Sequence, residues 1–68
     1  MNDEKMNMEV RKFLKKVGVT SQREIENAIF KAIESGQLKG SESLGIKMTL
    51  ESPVLDLKHV VEGRVELE

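Results

Sequence analysis

The sequence contains no cysteine, tryptophan or tyrosine, and only one proline, one histidine and two phenylalanines among its 68 residues. Without cysteine the chain cannot form a disulfide, and a single histidine leaves no ordinary set of zinc ligands. Small domains often depend on such links, because a chain this short buries only about 60% of its unfolded surface. We therefore expect one domain over residues 1–68, stabilised by packing or self-association alone.

Long apolar runs are also missing. None approaches the roughly 20 residues that a membrane span requires. The N-terminal stretch MNDEKMNMEV lacks the apolar core of a signal peptide. Apolar residues make up 38% of the chain and charged residues 34%, with a net charge of -1. This composition predicts a globular cytoplasmic protein that does not interact with membranes.

The sequence has little of what catalysis requires. The glycines are spaced for turns rather than for a phosphate-binding loop, and so short a chain rarely encloses a ligand pocket. His59 lies three residues from both Asp56 and Glu62, but a lone loop histidine is more often a surface or structural residue than a ligand or a base. We expect no enzymatic activity, no cofactor and no metal site.

Two amphipathic segments predict two helices in the first half of the chain. The first covers about residues 4–17 and ends at Gly18, because glycine readily takes the left-handed conformation found at helix ends. Ser21 and Glu24 have the S-x-x-E spacing of a capping box, which predicts a second helix over about 21–35, ended by Gly36. The apolar faces consist of Met6, Val10, Phe13, Leu14 and Val17 in the first helix, and Ile25, Ala28, Ile29, Ala32 and Ile33 in the second.

After Gly36 the apolar residues recur at every second position, as in a half-buried strand. Strands are predicted over about 45–51, with Ile46, Met48 and Leu50 on one face, and over about 60–67, with Val61 and Val65. They should pair antiparallel. Because a lone hairpin is only marginally stable, its apolar face is expected to cover the two helices. The predicted fold is therefore α+β, with two helices packed on a two-stranded ribbon.

Charge is distributed as a gradient along the chain. Residues 1–20 carry five basic and three acidic groups (+2), residues 21–40 three of each (0), and residues 41–68 three basic and six acidic (-3). On the first predicted helix, four basic residues lie opposite the apolar face: Arg11, Lys12, Lys15 and Lys16, here called the basic patch. The patch either binds an acidic surface or is an ordinary solvated face.

The segment GVTSQREIEN raises the alternative of a helix-turn-helix protein. Gln22, Arg23 and Asn27 are residue types that contact base edges from the second helix of that motif. Against it, the same helix carries Glu24, Glu26 and Glu34, the isoelectric point is about 5.8, and apolar Ile25 falls one residue late for the motif. With no tyrosine or tryptophan to stack on bases, nucleic-acid binding is disfavoured.

The run VRKFLKKVGVTSQREIENAI, followed by SGQLKG, KMTL and HVVEG, resembles a family of small uncharacterised bacterial proteins, a domain of unknown function that spans nearly the whole chain. The resemblance implies a free-standing bacterial cytosolic protein and assigns no functional residue. The sequence therefore predicts a non-enzymatic interaction module. Its basic patch would bind an acidic protein partner, with self-association through the sheet edges as a variant and a small nucleic-acid-binding protein as the alternative.

Overall fold

A computed structural model describes all residues 1–68 and divides them into two compact units, Met1–Gln37 and Leu38–Glu68. The first unit is one helix, α1, over Asp3–Glu34. The second is a two-stranded antiparallel ribbon of β1, Ser43–Ser52, and β2, Leu57–Glu66, joined through a short 3-10 turn at Pro53–Leu55. The predicted α+β class and the antiparallel ribbon are confirmed.

The prediction of two helices, over about 4–17 and 21–35, is wrong. Gly18 lies inside α1, whereas the glycines with positive φ are Gly36 (83°) and Gly40 (105°). The Thr20 hydroxyl donates to the Lys16 carbonyl at 2.8 Å, so it bonds back into the preceding turn. A helical glycine costs only about 1 kcal/mol relative to alanine, which is too little to end a helix when the residues on both sides favour it.

Local hydrogen bonds fix both ends of α1. The Asn2 side chain caps the first turn by accepting a hydrogen bond from the Lys5 backbone N–H at 3.0 Å. At the other end the Gly36 backbone N–H donates to the Ile33 carbonyl at 3.1 Å, and its positive φ turns the chain away. Gly36 thus ends the helix as predicted.

The ribbon has one apolar and one polar face. Met48 pairs with Val61 and Leu44 with Val65 on the apolar side, while Lys47 pairs with Glu62 on the polar side. β1 extends beyond the predicted range of 45–51 at both ends, whereas β2 begins three residues earlier than predicted and ends one residue earlier, at Glu66. The strands approach each other this closely in sequence because the connection needs only residues 53–56. Pro53 occupies the first position of the turn and Asp56 takes a left-handed φ of 51°.

No side chain of the chain is buried. Large apolar side chains are exposed on both units. Hydrogen bonds of the helix and of the ribbon define the two elements, and neither unit contains a buried apolar core of its own.

The segment before β1 is fixed by one carboxylate. Glu42 accepts hydrogen bonds from the backbone N–H groups of Lys39 (2.8 Å), Gly40 (2.9 Å) and Ser41 (3.1 Å). The bonds from Lys39 and Gly40 lower the pKa of the Glu42 carboxyl below its ordinary value. The turn at 39–42 is therefore organised around a negative charge.

Continuity of α1 predicts a large effect of proline at Val19, whose side chain is 52% exposed. Val19→Pro should destabilise the helix by about 3 kcal/mol, because proline removes a backbone donor and clashes with the preceding turn. Far-UV circular dichroism should show a marked loss of helix relative to Val19→Ala, the control that also removes the valine. Equal helix content in the two variants would mean that the chain turns at residues 18–21.

The Glu42 turn predicts a pH dependence. Because the pKa is lowered in the folded state, the stabilisation is complete above the ordinary pKa of glutamate and is lost as the pH falls through the lowered value. We expect the amide resonances of Lys39, Gly40 and Ser41 to shift together over that acidic range in an NMR titration. Glu42→Gln should abolish the shared transition; if these amides titrate unchanged in that variant, another group controls the turn.

Candidate functional site

The basic patch lies along the N-terminal half of α1, and all four of its side chains are exposed. Arg11 and Lys15, like Lys12 and Lys16, are four residues apart, and Lys12 and Lys15 are three apart, so these pairs are neighbours on the helix surface. Arg11, Lys12 and Lys15 line a shallow concavity together with Met8, whose side chain is 68% exposed. The patch therefore combines several cationic groups with one exposed flexible apolar side chain.

Few acidic groups lie near the patch. Residues three or four positions away are neighbours on a helix, and by this spacing Glu9, which precedes Lys12 by three, is the one acidic neighbour of the four basic residues. Arg11 with Lys15, and Lys12 with Lys16, are like-charged pairs at a separation of four. Each such pair costs the helix roughly 0.2–0.5 kcal/mol. The patch thus weakens the helix that carries it.

The residues proposed to contact bases do not lie at the start of a helix. Gln22, Arg23 and Asn27 are in the middle of α1, because the turn expected before them is absent. The Gln22 amide group, Nε2, lies 3.3 Å from Glu26 Oε2 and donates a hydrogen bond to it. The helix-turn-helix arrangement that would present these three side chains to a groove is not formed.

A continuous helix brings together basic residues that the two-helix interpretation kept apart. Lys5, Lys12, Lys16 and Arg23 follow one another at spacings of seven, four and seven, and so share one face of α1. At 1.5 Å per residue this row is about 27 Å long. The 7-4-7 spacing is visible in the sequence, but it has structural meaning only if the helix continues through Gly18.

The candidate metal or acid–base group around His59 is not assembled. His59 lies in β2 opposite Leu50, on the apolar face of the ribbon, rather than in a loop. No cluster of three histidine, cysteine, aspartate or glutamate side chains is placed to hold a metal ion. Asp56, in the turn, and Glu62, on the opposite face of the ribbon, do not complete a site with His59.

A group of hydrogen-bonded polar side chains joins the two strands of the ribbon. Arg64 Nε donates to Ser43 Oγ at 3.0 Å and Arg64 Nη2 to the Ser43 carbonyl at 2.9 Å, while Ser43 Oγ donates to Glu66 Oε1 at 2.8 Å. The guanidinium lies beside Gly45, where an added Cβ would be 3.8 Å from Nη1, an ordinary van der Waals contact. The guanidinium is thus held by cross-strand bonds, which ties the open end of the ribbon together.

None of the helices combines the length and apolar character needed to cross a membrane. Neither a curated protein nor a solved structure shows significant similarity to the chain. A family profile, described as a family of unknown function (DUF6494), matches residues 1–68. The resemblance to a domain of unknown function is confirmed: the chain belongs, over its full length, to the DUF6494 family of unknown function.

Proposed function

We propose that this protein is a non-enzymatic interaction module of the bacterial cytoplasm, and that the basic patch of Arg11, Lys12, Lys15 and Lys16 binds an acidic surface of a protein partner. The observation that carries the proposal is the near absence of acidic neighbours around the patch. Four like charges on two helical turns reduce helix stability. An acidic partner would supply the compensating charge.

A protein partner fits the rest of the chain better than a nucleic acid does. Glu24, Glu26 and Glu34 follow on the same helix, and the net charge is -1, so phosphate would be repelled from much of the surface. The exposed Met8 beside the patch adds a flexible apolar contact, of a kind enriched at protein interfaces.

Nucleic-acid binding is the second candidate function. It would use one face of the continuous helix rather than a helix-turn-helix motif. Its supporting observation is the row of Lys5, Lys12, Lys16 and Arg23, which could follow a phosphate backbone for about 27 Å. Gln22 and Asn27 would then be neighbours of the row rather than residues at the tip of a recognition helix.

Neutralising Lys12 and Lys15 tests the proposal, since both line the concavity beside Met8. The wild-type protein, titrated with a poly-glutamate peptide at about 50 mM salt, should show amide shifts concentrated at residues 11–16. Lys12→Gln with Lys15→Gln should weaken this binding about two- to thirty-fold, as expected for the loss of two exposed ion pairs. Lys39→Gln with Lys58→Gln is the control with the same change in charge.

Equal weakening in the two double variants would show that net charge, and not the patch, governs the binding. A mixed-sequence DNA duplex should bind more weakly than the peptide. Tighter binding to the duplex, with log affinity falling linearly with log salt, would favour the second candidate. No shift with either probe would contradict both proposals.

A further inference from the structure

One narrow stripe of apolar and small residues runs along almost the whole of α1. Its members are separated by four, three and four residues, twice in succession, which is an 11-residue repeat of about 3.67 residues per turn. At this period the members stay within an arc of roughly 65°. The apolar stripe consists of Val10, Leu14, Val17, Ser21, Ile25, Ala28 and Ala32.

Nothing within the unit Met1–Gln37 packs on the stripe. No member is buried, and Val10 and Leu14 are 47% and 53% exposed.

We propose that the apolar stripe is covered by the same stripe of a second copy of this chain, in antiparallel orientation. The spacing is symmetric about Ser21, so an antiparallel copy centred there brings Val10 level with Ala32 and Leu14 level with Ala28. Bulky side chains of one half then face small ones of the other, as close packing of two helices requires. At the centre Ser21 faces Ser21.

The charges beside the stripe favour the same orientation. On one side of the stripe, charges alternate at spacings of seven, eight and seven: Glu9, Lys16, Glu24 and Lys31, here called the charged edge. Lys16 also belongs to the basic patch and is the member that lies furthest round the helix from the stripe. In an antiparallel pair this edge faces itself. Centred near residue 20, it sets Glu9 opposite Lys31 and Lys16 opposite Glu24, so every pair has opposite signs.

A parallel pair would set the charged edge against the other edge of the stripe. Nearest the stripe, that edge carries Arg11 with the uncharged residues Asn7, Gln22 and Ile29, and Glu4, Lys15 and Glu26 lie as far round the helix as Lys16 does on the charged edge. The order of signs there, acidic, basic, basic and acidic, does not match the alternation along the charged edge. The dipoles of two neighbouring helices also attract each other only when the helices are antiparallel. Charge pattern and side-chain size therefore select one orientation.

The ribbon of the same chain is a poorer match in length. Its ten-residue strands extend about 33 Å, whereas a 32-residue helix is about 48 Å long. A ribbon could cover at most about two-thirds of the helix. A second α1 matches the stripe from end to end and leaves Lys12 and Arg23, on the opposite side of the helix, exposed to solvent.

A charge-exchange experiment tests the antiparallel pair. Glu9 and Lys31 are about 33 Å apart within one helix, too far to interact directly. Sedimentation equilibrium at about 50 mM salt should show a dimer. Glu9→Lys and Lys31→Glu should each weaken it about two- to thirty-fold, because each removes two symmetric ion pairs. The variant with both substitutions should return to within about threefold of wild type.

The control exchanges charges away from the stripe, with Lys12→Glu, Glu26→Lys and their combination. The changes that these two substitutions make in the free energy of dimerisation should add, because the two side chains do not face each other in the proposed pair. Circular dichroism on every variant checks that the helix is retained. A protein that stays monomeric at all concentrations, with the stripe covered by its own ribbon or by another partner, would overturn the proposal. A dimer without recovery in the Glu9–Lys31 combination would also overturn it.

Discussion

The constraint on which the whole structure depends is the burial of apolar surface, and neither the helix nor the ribbon buries a side chain within itself. Burying apolar groups is the main favourable term in folding, and neither a single helix nor a two-stranded ribbon provides it within itself. Such elements are marginally stable in water when isolated. With no cysteine and no assembled metal cluster, neither a disulfide nor such a cluster stabilises the two elements. In the pair that we propose, folding and association would be linked.

The ribbon could be predicted from the sequence because its signal is periodic and local. Alternation with period two places Ile46, Met48 and Leu50 on one face. A shift of one residue in the pairing of the two strands would turn these side chains to the opposite face. The strand ends were less predictable. Pro53 marked the connection, but the sequence did not show that four residues, 53–56, suffice, with Asp56 in a left-handed conformation.

The prediction of two helices is wrong because it rests on local signals for helix ends. It overlooks the apolar pattern, which continues without a break across residues 18–21. Gly18 resembles a helix end, and Ser21 with Glu24 resembles a helix start. The apolar positions on either side nevertheless belong to one 11-residue pattern, in which Leu14 and Ile25 are equivalent. A local signal is worth about 1 kcal/mol, whereas breaking the helix would forfeit several backbone hydrogen bonds. The basic patch was identifiable, but its alignment with Arg23 was not.

Continuity of α1 also separates two surfaces that the two-helix interpretation would have left at an unknown angle. The apolar stripe and the row containing Lys12 and Arg23 lie on nearly opposite sides of one rigid rod. If two rods pair through their stripes, their basic rows point away from each other and run in opposite directions. Such a dimer would present two equivalent basic surfaces and could engage two acidic sites at once, which raises avidity without any further contact. The weak charge of one short chain would then suffice for binding.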